Sequence, residues 1–204
     1  MGKPGPECYT RSVSPSERPP SIPPPPETVL DHDDIARAIR RIASAIVEQT
    51  RGSEQLAIVG IVAGGVALAN RIAAEIRERE GLRVPIGTVA IAFYRDDVAT
   101  GKPNLMAEPS DIRFEVEGRE VVLVDDVVQT GRTVRAAIDC LLDYGRPRRV
   151  WLAALCDRGG RELPIAPDFV GRSVDVPQGG YLEVSLGGPQ DRVVLVRPPI
   201  QLPG

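Results

Sequence analysis

Apolar residues recur with two periods along this chain. Apolar runs occupy Leu56–Ile61, Val121–Val124 and Val150–Cys156, and Thr88–Phe93 is apolar after its first residue. Between them lie stretches in which apolar residues return every three or four positions. The runs predict strands buried on both faces, and the stretches predict amphipathic helices. The first helix can be capped by Asp31 or Asp33 and carries Ile35, Ile39, Ile42, Ile46 and Val47 on one face. A second leaves the turn Val62-Ala63-Gly64-Gly65, runs through Val66, Ala69, Ile72, Ala73 and Ile76, and ends at Gly81. A third presents Val134, Ala137, Ile138, Leu141 and Leu142, and Gly145 and Pro147 stop it. Short strands at Phe169–Val170, Tyr181–Leu186 and Val193–Val196 follow among Gly and Pro. Strands alternating with helices predict an α/β fold, a parallel sheet with helices on both sides.

Two segments fall outside these periods. Residues 1–28 are rich in proline, serine and charge and end in Pro23-Pro24-Pro25-Pro26. Such a stretch buries too little apolar surface to offset its ordering entropy, so a disordered or polyproline tail is expected there, followed by one domain over residues 29–200. The second is Val98–Asp111, polar and punctuated by Gly, Lys, Pro and Asn after Tyr94-Arg95-Asp96-Asp97. A loop of that length without periodicity suits a cover over an active site, with plain disorder as the alternative.

Composition then removes whole classes of chemistry. The only histidine of the 204 residues is His32, which reads as a solvated residue at a helix start, so no His-rich metal site can exist. Cys8, Cys140 and Cys156 are spaced neither for zinc nor for a disulfide framework, and this usage points to a reducing, cytoplasmic setting. A net charge of -3 gives no overall pull towards nucleic acid, although Arg37, Arg40 and Arg41 make a basic stripe on the first helix. No apolar run reaches the roughly 18 residues of a membrane span, and the N-terminus lacks a signal-peptide core.

What remains is concentrated in Val121–Thr133. Four apolar residues lead into Asp125 and Asp126, then Val127, Val128, Gln129, Thr130, Gly131, Arg132 and Thr133, after which a helix begins. The carboxylates can accept hydrogen bonds from sugar hydroxyls or approach a magnesium ion. The threonine hydroxyls, the loop N–H groups and the helix N-terminus favour an anion. One half of the segment therefore suits a sugar and the other half its phosphate. The glycine turn at Val62–Gly65 stands at another strand's carboxyl end, where α/β sheets bind ligands.

This stretch closely resembles the phosphoribosyl pyrophosphate (PRPP) signature of type I phosphoribosyltransferases. With Tyr94–Asp97, Thr133–Ala137, Tyr144–Pro147, Asp157–Gly159 and Arg161–Ile165, the likeness extends over roughly residues 29–186 and is to the PyrR family. Members are pyrimidine-operon attenuation proteins that are also uracil phosphoribosyltransferases. The resemblance implies a type I phosphoribosyltransferase-like sheet with a small hood. It implies Mg2+-dependent transfer of ribosyl phosphate from PRPP to uracil, giving UMP and pyrophosphate. UMP and UTP would act as signals for pyrimidine-operon messenger RNA, and the chain would form a homo-oligomer, a dimer or tetramer. Asp125 and Asp126 would hold the ribose hydroxyls close to the metal, directly or through water. Val127–Thr133, with the Thr130–Thr133 loop at its centre, would take PRPP. Ala63, Gly64 and Arg95 would meet the pyrophosphate side, and Arg158 and the backbone near Leu182 would adjoin the base.

The chain also departs from that pattern. Val62-Ala63-Gly64 stands where the family usually has Lys-Thr-Arg, Gln129 for a usual tyrosine and Gly160 for a usual histidine. Arg40 and Ser44 replace the usual Thr and His on the face linked to RNA, while Arg161 is retained. Losing one charge-assisted contact to pyrophosphate costs about 1.5–3 kcal/mol, or roughly one to two orders of magnitude in rate if felt fully in the transition state. Two other readings follow: a nucleotide-sensing regulator with weak catalysis, and a phosphoribosyltransferase for another base.

Overall fold

The computed structural model describes residues 24–91, 109–188 and 190–198. Arg95, the rest of Tyr94–Asp97, most of the expected cover loop and most of the expected tail lie outside them. Five parallel strands form the main sheet: β2 (Leu56–Ile61), β3 (Ile86–Val89), β4 (Glu120–Val128), β5 (Arg149–Asp157) and β6 (Phe169–Ser173), in the order β3-β2-β4-β5-β6. Helices α1 (His32–Thr50) and α2 (Gly64–Glu80) cover one face and α3 (Arg132–Leu142) the other.

The burial follows from the two-residue period of a strand. Val122 and Val124 of β4 enter the cluster with Ile39 and Ile42 of α1 and Leu68 and Ile72 of α2. Val121 and Leu123, one position out of phase, enter the cluster with Val134, Ala137 and Leu141 of α3. Each of these β4 side chains is fully buried, worth about 1.5–3 kcal/mol. An unbroken apolar run is what a strand covered on both faces requires.

Three expectations change in detail. The strand expected at Thr88–Phe93 is β3, two residues earlier, and its edge is closed by a bridge from Thr88 to Asp111. β4 does not end at Val124 but runs through both aspartates to Val128, because Asp125, Val127 and Val128 remain paired with β5. The chain also enters the fold before residue 29. β1 (Glu27–Leu30) pairs antiparallel with β8 (Arg192–Val196), and β8 with β7 (Tyr181–Ser185), making a separate three-stranded hood sheet. That pairing joins residues over 160 positions apart, so no local period announces it.

The hood is pinned to the core by a buried carboxylate. Asp191 accepts from the Gly187 N–H at 2.9 Å and from Arg71 of α2, and His32 Nδ1 lies 3.7 Å away. His32 thus does more than stand solvated at a helix start, although its side chain is 59% exposed.

Candidate functional site

Strand order locates the site. From β2 the chain crosses outward to β3, and from β4 it crosses the other way to β5. The turns after β2 and β4 therefore diverge at one crevice beyond the carboxyl ends of adjacent strands, the position where open α/β sheets take ligands.

Helix caps sharpen the picture. α1 is sealed by a capping box in which the Asp31 carboxylate accepts from Asp34 N–H and the Asp34 carboxylate accepts from Asp31 N–H. The two helices that begin at the crevice have no side-chain cap: α2 starts after Ala63 and α3 after Gly131, whose φ is +89°. Uncapped first-turn N–H groups and the positive end of the helix dipole suit an anion. Within the α3 entry, the Arg132 N–H donates to Thr130 Oγ1 at 3.3 Å, while the Arg132 Nε donates outward to Glu162 at 2.6 Å.

The crevice contains a cavity of about 290 Å³ lined by Val127 to Gly131, Thr133, Val134, Arg158 and Leu182. Fold alone brings these together: Arg158 follows β5, Leu182 is on the hood, and the rest run from the end of β4 through the loop into the first turn of α3. Arg158 Nη2 donates to Gly180 O at 3.0 Å, linking the sheet side of the cavity to the hood. Gln129 is exposed at the mouth, and a Cβ on Gly160 would lie 3.8 Å from its Cγ. The two positions at which the chain departs from the PyrR pattern beside the loop are therefore neighbours.

Asp125 and Asp126 stand one step before the cavity lining, and their environments differ. Asp125 is only 6% exposed. Burial first, then the charge of Asp126, pushes its carboxyl well above the usual carboxylate range. Asp126 is half-buried, and its Oδ1 accepts the Val127 N–H at 2.8 Å. Its other oxygen leans towards the start of α2, 1.9 Å from where a Cβ on Gly64 would sit. Helix α2 comes this close because Gly65 has no side chain: a Cβ there would stand 2.1 Å from Val124 O. Gly64 thus faces Asp126, and Ala63 precedes it at the helix start, with the Val62–Ala63 peptide in cis.

A divalent cation fits this donor set in a limited way. Among the described residues no cluster of three or more acidic, His or Cys side chains could enclose a metal. One accessible carboxylate, Asp126, beside a buried one matches how magnesium is usually held, by one or two carboxylates with substrate oxygens and water completing the shell.

Segment 157–165, valued in the sequence mainly for its pattern, proves to be the outer wall of the loop. Glu162 N–H and Leu163 N–H both donate to Thr130 O at 3.0 Å. Arg161 reaches beneath the loop to Gln129 O at 2.6 Å. Local sequence offered no sign of these bonds beyond the presence of the Arg-Glu-Leu-Pro-Ile motif.

Comparison with known proteins agrees with this geometry. The phosphoribosyl transferase domain model matches residues 26–179. The bifunctional protein PyrR of Roseiflexus sp. (strain RS-1) is 49% identical over 172 residues, covering 83% of this chain and 94% of that protein. The bifunctional protein PyrR of Geobacter sulfurreducens is 51% identical over 146 residues, covering 72% and 82%. Among solved structures, the hypoxanthine phosphoribosyltransferase of Trypanosoma cruzi in complex with the product IMP is similar at a TM-score of 0.65 and 16% identity, covering 84% of this chain and 90% of that one. That likeness bears on fold alone.

Proposed function

The chain belongs to the phosphoribosyl transferase domain family, among its PyrR proteins, and from that premise we propose that it is a uracil phosphoribosyltransferase that also regulates pyrimidine-operon expression. It transfers ribosyl phosphate from PRPP to uracil, forming UMP and releasing pyrophosphate. The observation that carries this reading is the cavity itself, which joins the Val127–Thr133 loop to Arg158 and the hood at Leu182.

Each residue's part follows from its chemistry. Thr130 to Thr133 supply hydroxyl and N–H donors to the 5′-phosphate at the open end of α3. Asp126, with buried Asp125 behind it, accepts from the ribose hydroxyls and would be the carboxylate that holds magnesium. Bound magnesium supplies positive charge to the pyrophosphate oxygens. Backbone N–H groups at Ala63 and Gly64 serve the leaving pyrophosphate, and Arg95, which lies outside the described residues, is assigned to the same group by its family resemblance. Arg158 and the Leu182 backbone hold the base. The transition state has oxocarbenium character, so the chain contributes position and charge neutralisation rather than a covalent nucleophile.

A formation assay for UMP from uracil, PRPP and magnesium tests this. Saturable UMP synthesis is expected, with guanine and hypoxanthine failing to compete. Background rates at saturating substrate refute transfer, and effective purine competition refutes uracil as the base.

A weak-transferase reading draws on one observation, the absence of any donor side chain at Val62-Ala63-Gly64. Val62→Lys with Ala63→Thr raises turnover under that reading and leaves it unchanged otherwise.

The regulatory half has its own surface. Arg37, Arg40 and Arg41 of α1 and Arg79 of α2 line an open groove with Ser44 and Glu48. Three of these cations are already engaged, Arg37 with Asp34 at 2.6 Å, Arg41 with Gly171 O and Arg79 with Glu75. A pyrimidine-leader RNA should bind there at low salt, with UMP strengthening the complex, and alanine at Arg40 and Arg41 should flatten the salt dependence. No shift at low salt refutes RNA binding. Sedimentation of the full chain as a dimer or tetramer is expected, and a monomer refutes the oligomer.

A further inference from the structure

We infer that Arg161 is the positioning residue of the 5′-phosphate loop: its guanidinium sets the direction of the loop carbonyls and thereby aims the loop N–H groups at the phosphate. The inference rests on the phosphoribosyl-binding reading above and names a residue that reading leaves unused.

Three consecutive carbonyls of the β4–α3 connection are taken by the 158–163 segment. Val128 O accepts from Arg158 N–H at 3.1 Å and lies 3.5 Å from Arg161 Nη1. Gln129 O accepts from Arg161 Nη1 at 2.6 Å. Thr130 O accepts from the Glu162 and Leu163 N–H groups at 3.0 Å. In a trans peptide the N–H points opposite to the carbonyl it follows. Turning these carbonyls outward therefore turns the N–H groups of Gln129, Thr130 and Gly131 the other way. Successive N–H groups pointing one way form an anion-binding concavity.

Of the three carbonyls, Gln129 O is the one held by a side chain alone, so Arg161 is the part of the wall that a point substitution can remove. The side chain is well fixed for the task. Nε donates to Ile165 O at 2.7 Å, and Nη2 pairs with Asp157 Oδ1 at 2.8 Å. Asp157 Oδ1 also accepts the Gly159 N–H at 2.9 Å, so the anchor is itself held at the end of β5. Nη1 lies 3.4 Å from Gly159 O as well. A planar guanidinium can serve Asp157, Gln129 O and Ile165 O in three directions at once, which a lysine ammonium on the same stem cannot.

Arg158 and Arg161 therefore have opposite duties three residues apart. Arg158 lines the cavity and reaches the hood; Arg161 stays outside the cavity and acts only through the loop backbone.

The test is calorimetric titration of the full chain and of Arg161→Ala, Arg161→Lys and Arg161→Gln with ribose 5-phosphate and with magnesium PRPP, beside uracil kinetics. Arg161→Ala should weaken ribose 5-phosphate and PRPP by about tenfold or more, the scale of a lost charge-assisted bond. The KM for uracil at saturating PRPP should stay within about twofold, a split that general loosening of the fold does not produce. Added guanidinium ion should restore part of the loss in Arg161→Ala, and Arg161→Lys should remain weak. Ribose 5-phosphate affinity unchanged in Arg161→Ala, or a uracil KM that moves as far as the PRPP KM, overturns the inference. A wild type that binds ribose 5-phosphate but forms no UMP refutes transfer alone, and an Arg161 effect on that binding still supports the inference. A wild type that binds neither ligand overturns both.

Discussion

Gly64→Ala should cost stability through one carboxylate. Alanine normally stabilises a helix over glycine by up to about 1 kcal/mol, and Gly64 is the first residue of α2. Here its Cβ would stand 1.9 Å from Asp126 Oδ2, 2.3 Å from Cγ and 2.8 Å from Oδ1. Asp126 has to rotate. Leaving its rotamer costs about 0.5–1.5 kcal/mol. Releasing Oδ1 from the Val127 N–H, now at 2.8 Å, costs about another 0.5–1.5 kcal/mol. Against the helix gain of about 1 kcal/mol, the net expectation is a loss of up to about 2 kcal/mol. Urea unfolding of the wild type, Gly64→Ala, Asp126→Ala and the double variant measures it. In the Asp126→Ala background the clash is gone, so Gly64→Ala should become neutral or stabilising, with a coupling of about 1–3 kcal/mol. A stabilised single variant, or a cycle that closes at zero, refutes the placement of Asp126 against α2. The same contact means that an arginine at position 64 cannot be added without moving Asp126, so any restoration of that turn begins at Val62 and Ala63.

Three further outcomes follow from buried groups. Asp125 has a raised pKa in the fold, so the native state holds its proton longer than the unfolded chain does. Stability therefore falls as pH rises above the ordinary aspartate value of 3.8, by up to about 1.4 kcal/mol per pH unit until the folded group ionises. Asp125→Asn should flatten that slope in urea midpoints between pH 4 and 7, and parallel slopes refute it. Burial pushes the Cys156 thiol up to about 12, so native protein at pH 8 should leave Cys156 unlabelled by iodoacetamide while urea-unfolded protein labels it; rapid native labelling in peptide mass spectrometry refutes its burial. Asp191→Ala removes the acceptor for Gly187 N–H and Arg71 from a site 5% exposed, and should cost about 2–4 kcal/mol in denaturant midpoint, with a loss below about 0.5 kcal/mol refuting its role in pinning the hood.

The amino-acid order by itself determined the elements whose information is local. Leu56–Ile61 is a strand to the residue, because an unbroken apolar run has one stable use in a covered sheet. The helix face of α1 follows from the 3.6-residue period, and so does that of α3 except at Leu142, which is 50% exposed because the helix ends there beyond the reach of the sheet. The PRPP-like loop was legible as donor residues between a strand and a helix. Tertiary structure decided whatever depends on distant neighbours. Pairing with β5 carried β4 past both aspartates, and the resulting packing buried Asp125 while leaving Asp126 half-open. Glu27–Leu30 became a strand only because β8 offers it an edge. Arg161 acquired its partners from Asp157, Gln129 and Ile165, and only the return of β5 beside β4 puts Gln129 within its reach. A periodic pattern records which face of an element is apolar; it does not record which carbonyl an arginine will meet across the fold.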